Sequence, residues 1–242
     1  MHNSFVNGNY LASRIRRLSG PIIAFREYFF QDVLPAFADL NARAERVAHD
    51  YYNRIGAQPA GEYEIDMADV AEDAQQQSYD WWEMMTSLRQ TMLNLTAAGL
   101  FHLIEQQLAT LSRDGLFEES VRDTKLGVVQ MWYRDQFGID VAAMPSWGTI
   151  NEMRLVANTV KHGEGGSAES LRALRPELFT DPTYAEFLRQ EGLGLDERVS
   201  REKLTVPLSG EDFFVTEEIL RGYTERAEAF FDEIAAELVR RG

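Results

Sequence analysis

The chain has 242 residues, 45% of them hydrophobic, and its 24 basic and 39 acidic residues give a formal charge of −15. It is long enough to bury a sizeable core, and its average surface repels phosphate polymers and anionic membranes, so any contact with nucleic acid must be local. The absence of cysteine excludes disulfides, thiolate metal sites and a cysteine nucleophile and suits a cytoplasmic location. No export signal and no apolar run long enough to span a membrane is read, so no membrane association is expected.

Residues 1–18, Asn-rich and then basic at Arg14, Arg16 and Arg17, read as a flexible amino-terminal arm. Ser19-Gly20-Pro21 reads as a helix start with Ser19 as N-cap, and that helix runs towards Ile55 with a kink or break near Leu34 imposed by Pro35. The glycine- and proline-containing stretch 56–61 stops it. From about Asp66 to Ser112 there is no proline, and Val70, Ala74, Trp81, Met85, Leu88, Met92, Leu95, Leu103 and Leu111 recur near helical spacing. This predicts one very long helix or two nearly collinear ones. Asp66, Asp69, Glu72 and Asp73 fit its opening turns, where negative charge offsets the dipole. Trp81-Trp82 with Met84-Met85 reads as core or as a helix–helix interface.

After a break at Asp114-Gly115, the spacing of Val121, Val128, Val129, Trp132 and Tyr133 predicts a helix over 118–137. Ser146 is the expected N-cap of the next helix, Trp147 to about His162, which Gly163-Glu164-Gly165-Gly166 terminates. Short helices follow over 167–174 and 181–190, parted by Arg175-Pro176. Leu204–Val215 alternates around Ser209-Gly210 and is the one candidate for a short β-hairpin, confined to an edge by Pro207. The last helix starts at Thr216, with Glu217 and Glu218 in its first turn and Arg240 and Arg241 in its last. The expected fold is all-α. A single domain over 19–242 is read as an antiparallel bundle of long helices (19–166) carrying a smaller helical appendage (167–242).

Candidate chemistry concentrates in the Trp147–His162 helix. At about 100° per residue, Ile150, Met153, Val156, Ala157 and Val160 form its core face, and Arg154, Asn158, Lys161 and His162 share one flank. Guanidinium, amide, ammonium and imidazole groups beside a glycine-rich turn suit phosphate binding and proton transfer. The plainer alternative is that Lys161 and His162 serve the helix C-terminus and Arg154 a surface ion pair. A second polar set, His102, Glu105 and Gln106, lies on the long helix, and Arg154, Asn158 and His162 are candidate partners for it; a satisfied core histidine is the plainer reading. His102-x-x-Glu105 has the spacing of a metal-ligand pair, but without a second such motif no metal site is expected, and no cofactor is.

Arg154–His162, preceded by Tyr133-Arg-Asp-Gln-Phe-Gly-Ile-Asp140 and Pro145-Ser-Trp147, resembles the helical HEPN superfamily over roughly 118–166. The resemblance implies a helical, often dimeric domain that acts on or binds RNA or a nucleotide, and, where it cleaves, a metal-independent endoribonuclease of a toxin or defence system. His162 would then be the base on a ribose 2′-hydroxyl, Asn158 would hold the phosphate or the histidine, and Arg154 or Lys161 would stabilise the phosphorane. His102, Glu105 and Gln106 would assist in binding. Ala157 occupies the place of the family's arginine, and Arg154 is the nearest substitute. The competing expectation is a non-catalytic acidic interaction or immunity protein that neutralises a basic partner.

Overall fold

The computed structural model describes residues 8–58, 66–113, 117, 121, 123, 125–192, 203–208 and 210–241. The fold is all-α, and among the described residues there is no strand. Gly8–Leu18 forms helix α1, where a flexible arm was expected: its Leu11, Ala12 and Ile15 are buried and pack against the carboxy-terminal helix. The rest of that expectation, residues 1–7, lies outside the described residues. Helix α2 follows over Gly20–Tyr28. Ser19 does not cap it; this residue is itself helical and its hydroxyl donates to the Arg16 carbonyl at 2.6 Å.

Pro35 acts over a longer stretch than a single kink. The chain widens into a π turn over Phe29–Val33, tightens into a 3-10 turn over Leu34–Phe37, and reverses at Asp39, whose φ is +54°. Pro35 lacks the N–H that would have served one carbonyl of the preceding turn, and its ring crowds that turn. Helix α3 then spans Leu40–Gly56 and returns along α4, a continuous helix over Met67–Ser112. The Asp66 carboxylate caps α4 by accepting from the Ala68 amide at 2.8 Å. The carboxy-terminal part of α4 runs through the core with Leu93, Ala97, Leu100, Phe101, Ile104 and Leu108 buried, whereas Leu88 and Leu95, placed on its apolar stripe by periodicity, are exposed.

Helix α5 covers Leu126–Phe137, later than the predicted start, and ends on Gly138 at φ +66°. Helix α6, Trp147–His162, has the predicted core face: Ile150, Met153, Val156, Ala157 and Val160 are all buried. Ser146 does not cap it, because its hydroxyl donates instead to Glu233 at 2.7 Å. Helices α7 (Gly166–Leu174) and α8 (Pro182–Gln190) are short, and Asp181 caps α8. Helix α9, Glu217–Arg241, is no appendage: Leu220, Tyr223, Ala227, Phe230, Phe231 and Ile234 are buried in the same apolar cluster as α4 and α6.

The candidate hairpin over Leu204–Val215 forms no ladder among its described residues. Side chains take the backbone groups that a ladder would have used. The Asp212 carboxylate accepts from the amides of Thr205 (2.7 Å) and Val206 (2.8 Å). Buried Asn94 of α4 donates to the carbonyls of Pro207 (2.9 Å) and Phe213 (2.7 Å) and accepts from the Val215 amide (3.0 Å). Gly210, at φ +80°, sits so close to α4 that a Cβ there would lie 2.6 Å from that of Gln90.

Candidate functional site

Arg154, Asn158, Lys161 and His162 lie along the less buried flank of α6, and the start of α7 adjoins it at Asn158. Lys161 and His162 are exposed at the last turn of α6, and neither forms a side-chain hydrogen bond or ion pair with a described residue. Asn158 and Arg154 are half-buried, about one and two turns earlier respectively. The Arg154 Nε donates to the Asn151 side chain at 3.0 Å, which fixes the stem of the guanidinium. Asn158 Nδ2 donates to Ser167 Oγ at 3.4 Å, tying the flank to the first turn of α7.

The connection between the two helices is built from glycine for a physical reason. Gly163 (φ +69°) ends α6 and Gly165 (φ +157°) precedes α7, both in backbone regions that L side chains rarely adopt. Between them Glu164 is held by the Arg172 guanidinium (3.0 and 2.9 Å) and accepts from the Leu204 amide at 2.9 Å. The Arg172 contact holds its carboxyl below the ordinary range, so this acid is neutralised within the scaffold. No side chain caps α7, whose first turn begins four residues after His162. Backbone amides at an uncapped helix start, basic side chains and a hydroxyl are the groups from which anion sites are commonly built.

His102, Glu105 and Gln106 do not join it: no hydrogen bond or ion pair among the described residues links them to Arg154, Asn158 or His162. His102 Nδ1 lies 3.0 Å from Glu105 Oε2, and Glu105 Oε1 accepts from the Leu126 amide at 3.1 Å, so Glu105 fastens the start of α5 to α4. Gln106 is exposed. Among the described residues no group of three or more acidic or histidine side chains is gathered closely enough to hold a metal ion.

A polar centre that periodicity did not single out lies between α6, α9 and the segment after α7. Glu152 is buried; its Oε1 accepts from Tyr223 Oη at 2.6 Å and from the Arg175 guanidinium, whose Nε donates to Glu177 at 2.5 Å. Burial, reinforced by the Glu152 carboxylate, pushes the Tyr223 phenol far above its ordinary value. Burial opposes the charge on Arg175, but the hydrogen bond to Glu177 and the field of Glu152 outweigh it and raise its pKa. The triad lines a cleft of about 570 Å³ together with Thr149, Glu218, Glu225 and Arg226. Within the triad the Glu152 carboxylate is answered by the Arg175 guanidinium and the Tyr223 hydroxyl, so it is a fastening that anchors Arg175 to two core helices. The signal in the sequence was a carboxylate four residues before Val156 on a buried helix, a position that demands a partner.

The chain matches no protein-family model and has no significant match among curated proteins or solved structures.

Proposed function

We propose that the protein is a HEPN-like helical protein that binds the phosphate of RNA or a nucleotide at the junction of α6 and α7. The observation that carries this reading is the exposure of Lys161 and His162, unpaired among the described residues, just ahead of the uncapped first turn of α7, with Arg154 and Asn158 on the same flank. Lys161 and the α7 amides supply charge and directed donors, and Asn158 and Ser167 orient the phosphate. With a ribose 2′-hydroxyl presented, His162 takes its proton, the 2′-oxygen attacks phosphorus, and the bond to the 5′-oxygen breaks as that oxygen regains a proton. Arg154 or Lys161 offsets the charge of the phosphorane. Ala157, on the buried face, contributes nothing to this chemistry, so binding is the primary activity and cleavage depends on the flank cations.

The test uses labelled single-stranded and structured RNAs and free nucleotides without added metal, comparing wild type, Lys161→Ala and His162→Ala. Lys161→Ala is expected to weaken binding about tenfold, a loss of about 1.4 kcal/mol, and to reduce its dependence on salt. Cleavage, where present, leaves 2′,3′-cyclic phosphate ends and disappears with His162→Ala. Absence of binding across that panel refutes the reading and favours the second, a non-catalytic acidic interaction or immunity protein, which the charge of −15 supports. In that case substitutions of surface acids, and not His162→Ala, abolish capture of a basic partner.

A further inference from the structure

Helices α3 and α4 pair outside the main core, and one edge of the seam between them is open. Trp82 Nε1 donates to Asn41 Oδ1 and Ser78 Oγ to the Ala44 carbonyl, both at 2.8 Å, which locks the two helices side by side. Yet α3 buries Ala44 alone, and before Leu93 α4 buries only Val70 and Ala74. Along the open edge Gln75, Tyr79, Trp82, Thr86 and Gln90 recur every three or four residues, so they share one stripe of α4. Two adjoining cavities lie on that stripe and meet at Trp82. The first, of about 570 Å³, is mostly apolar and lies between α3 and α4 against Ala44, Ala48 and Tyr79. The second, of about 420 Å³, lies between α4, the start of α8 and the 210–214 loop, against Pro182 and Phe214. Together they make a trough about 22 Å long, the length of α4 from Gln75 to Gln90. Tyr79 and Trp82 stack at 6.4 Å in its floor and remain 57% and 37% exposed.

The rim of the trough is acidic. Glu45 borders the first cavity, and Glu83, Asp181 and Glu211 border the second. Among the described residues none of these four carboxylates forms an ion pair. The one basic residue on the lining, Arg89, is answered by Glu217 at 3.6 Å. The arginines of α3 do not enter the lining: Arg43 donates to the Ala36 carbonyl and lies over the Trp81 ring, and Arg54 lies over Tyr51. An aromatic floor inside a rim of unanswered carboxylates suits a partner that is apolar on one face and basic beside it.

We propose that the trough receives a basic amphipathic helix of another protein, about 15 residues long. Its apolar residues cover Tyr79 and Trp82, and its lysines or arginines face Glu45, Glu83 and Glu211. A groove between two helices accepts a third by the same ridge-and-groove packing, whereas strand addition needs a sheet edge, and none exists among the described residues. Phosphate polymers and anionic membranes are repelled by the same rim. The most basic described helix of this chain, α1 with Arg14, Arg16 and Arg17, already buries its apolar face and packs on α9, so it is not the occupant. The trough uses no residue of α6 or α7, and the proposal and the phosphate reading therefore fail separately.

The probe is a labelled helical peptide of about 15 residues, with leucines on one face and lysines beside them. It is compared with its glutamate counterpart and with a shuffled order of the same residues. Fluorescence anisotropy with the full chain in low salt is expected to give a Kd of about 10 µM for the basic helix and at least about tenfold weaker binding for both controls. Ala48→Trp fills the groove and Glu83→Lys reverses a rim charge; each is expected to weaken binding about tenfold while helical circular dichroism is kept. Asp73→Lys makes the same charge change at an exposed position that lines neither cavity, and binding should stay within about twofold. No binding at about 100 µM overturns the proposal. Equal weakening by Glu83→Lys and Asp73→Lys overturns it too, because attraction by net charge alone would act that way. A dimer in sedimentation that Ala48→Trp dissociates assigns the trough to a second copy and overturns it as well.

Discussion

Replacing Asn94 with leucine, which has nearly the same shape, removes a clamp without opening a cavity. The amide is fully buried and uses all of its capacity: it donates to the carbonyls of Pro207 and Phe213 and accepts from the Val215 amide and from Gln90 Nε2. In Asn94→Leu the Gln90 side chain can turn to water or keep its bond to the Val215 carbonyl, but three backbone groups lose their partners. A buried group left unpaired costs about 1–3 kcal/mol, and because neighbouring losses overlap the expected total is about 3–5 kcal/mol. For a chain of this length that corresponds to a fall in melting temperature of about 10 °C. The comparison is Thr91→Val, which removes a single exposed bond to the Leu208 carbonyl and should cost less than about 1 kcal/mol. Denaturant melts followed by circular dichroism, with amide exchange at Val215, measure both. A loss below about 1 kcal/mol in Asn94→Leu, with Val215 still protected, would refute the argument that this side chain holds the 203–215 segment to α4.

The Glu152 triad and the Glu164 clasp give two further outcomes. Glu152→Ala leaves a buried phenol without its acceptor and a partly buried guanidinium with Glu177 alone and is expected to cost about 2–4 kcal/mol in the same melts, with Glu152→Gln milder because it still offers Tyr223 an acceptor. The Glu164 carboxyl is held below its ordinary value of 4.5, first by the Arg172 hydrogen bonds and then by the Leu204 amide and the nearby basic charges. A group depressed in this way stabilises the fold fully above its ordinary pKa and loses that contribution as pH falls through the folded value. The melting temperature should therefore drop on acidification below that ordinary value, and Glu164→Gln should flatten the acid limb while lowering stability near neutrality. Glu237, lowered to about 2 by Arg240 and Arg241, acts in the same direction, but its pairs are exposed and fade with salt.

What could be read before the structure was whatever depends on periodicity. Helix α6 and its core face follow from the spacing of Ile150, Met153, Val156 and Val160, and α4 from a long stretch free of proline; both lie where the pattern places them. Positions set by a distant partner were not legible. Ser146 and Ser19 have the chemistry of N-caps, but one hydroxyl is claimed by Glu233 on α9 and the other by the preceding turn. Leu204–Val215 has the alternation of a strand, but side chains from α4 and from its own loop, Asn94 and Asp212, take the backbone groups a ladder would need. Leu11, Ala12 and Ile15 recur at helical spacing, yet the asparagines before them suggested an arm; burial against α9 decides the matter.

The same distinction bears on how the α6 flank can work. An arginine at position 157 would project from the face that holds Met153, Val156 and Val160, where the present alanine is fully buried. A guanidinium there would lack both room and a counter-charge. The helix is thus oriented so that residues 154, 158, 161 and 162 meet solvent and residue 157 meets the core. Any cation that acts on a phosphate at this site must come from the flank, where Arg154 is tethered by Asn151 and Lys161 is free to swing. A tethered guanidinium presents fixed donors, and a mobile ammonium follows charge without fixing geometry. The first suits positioning and the second suits attraction. Under the function proposed above, with His162 exposed and no carboxylate among the described residues orienting its ring, the arrangement suits holding an anion better than directing a proton.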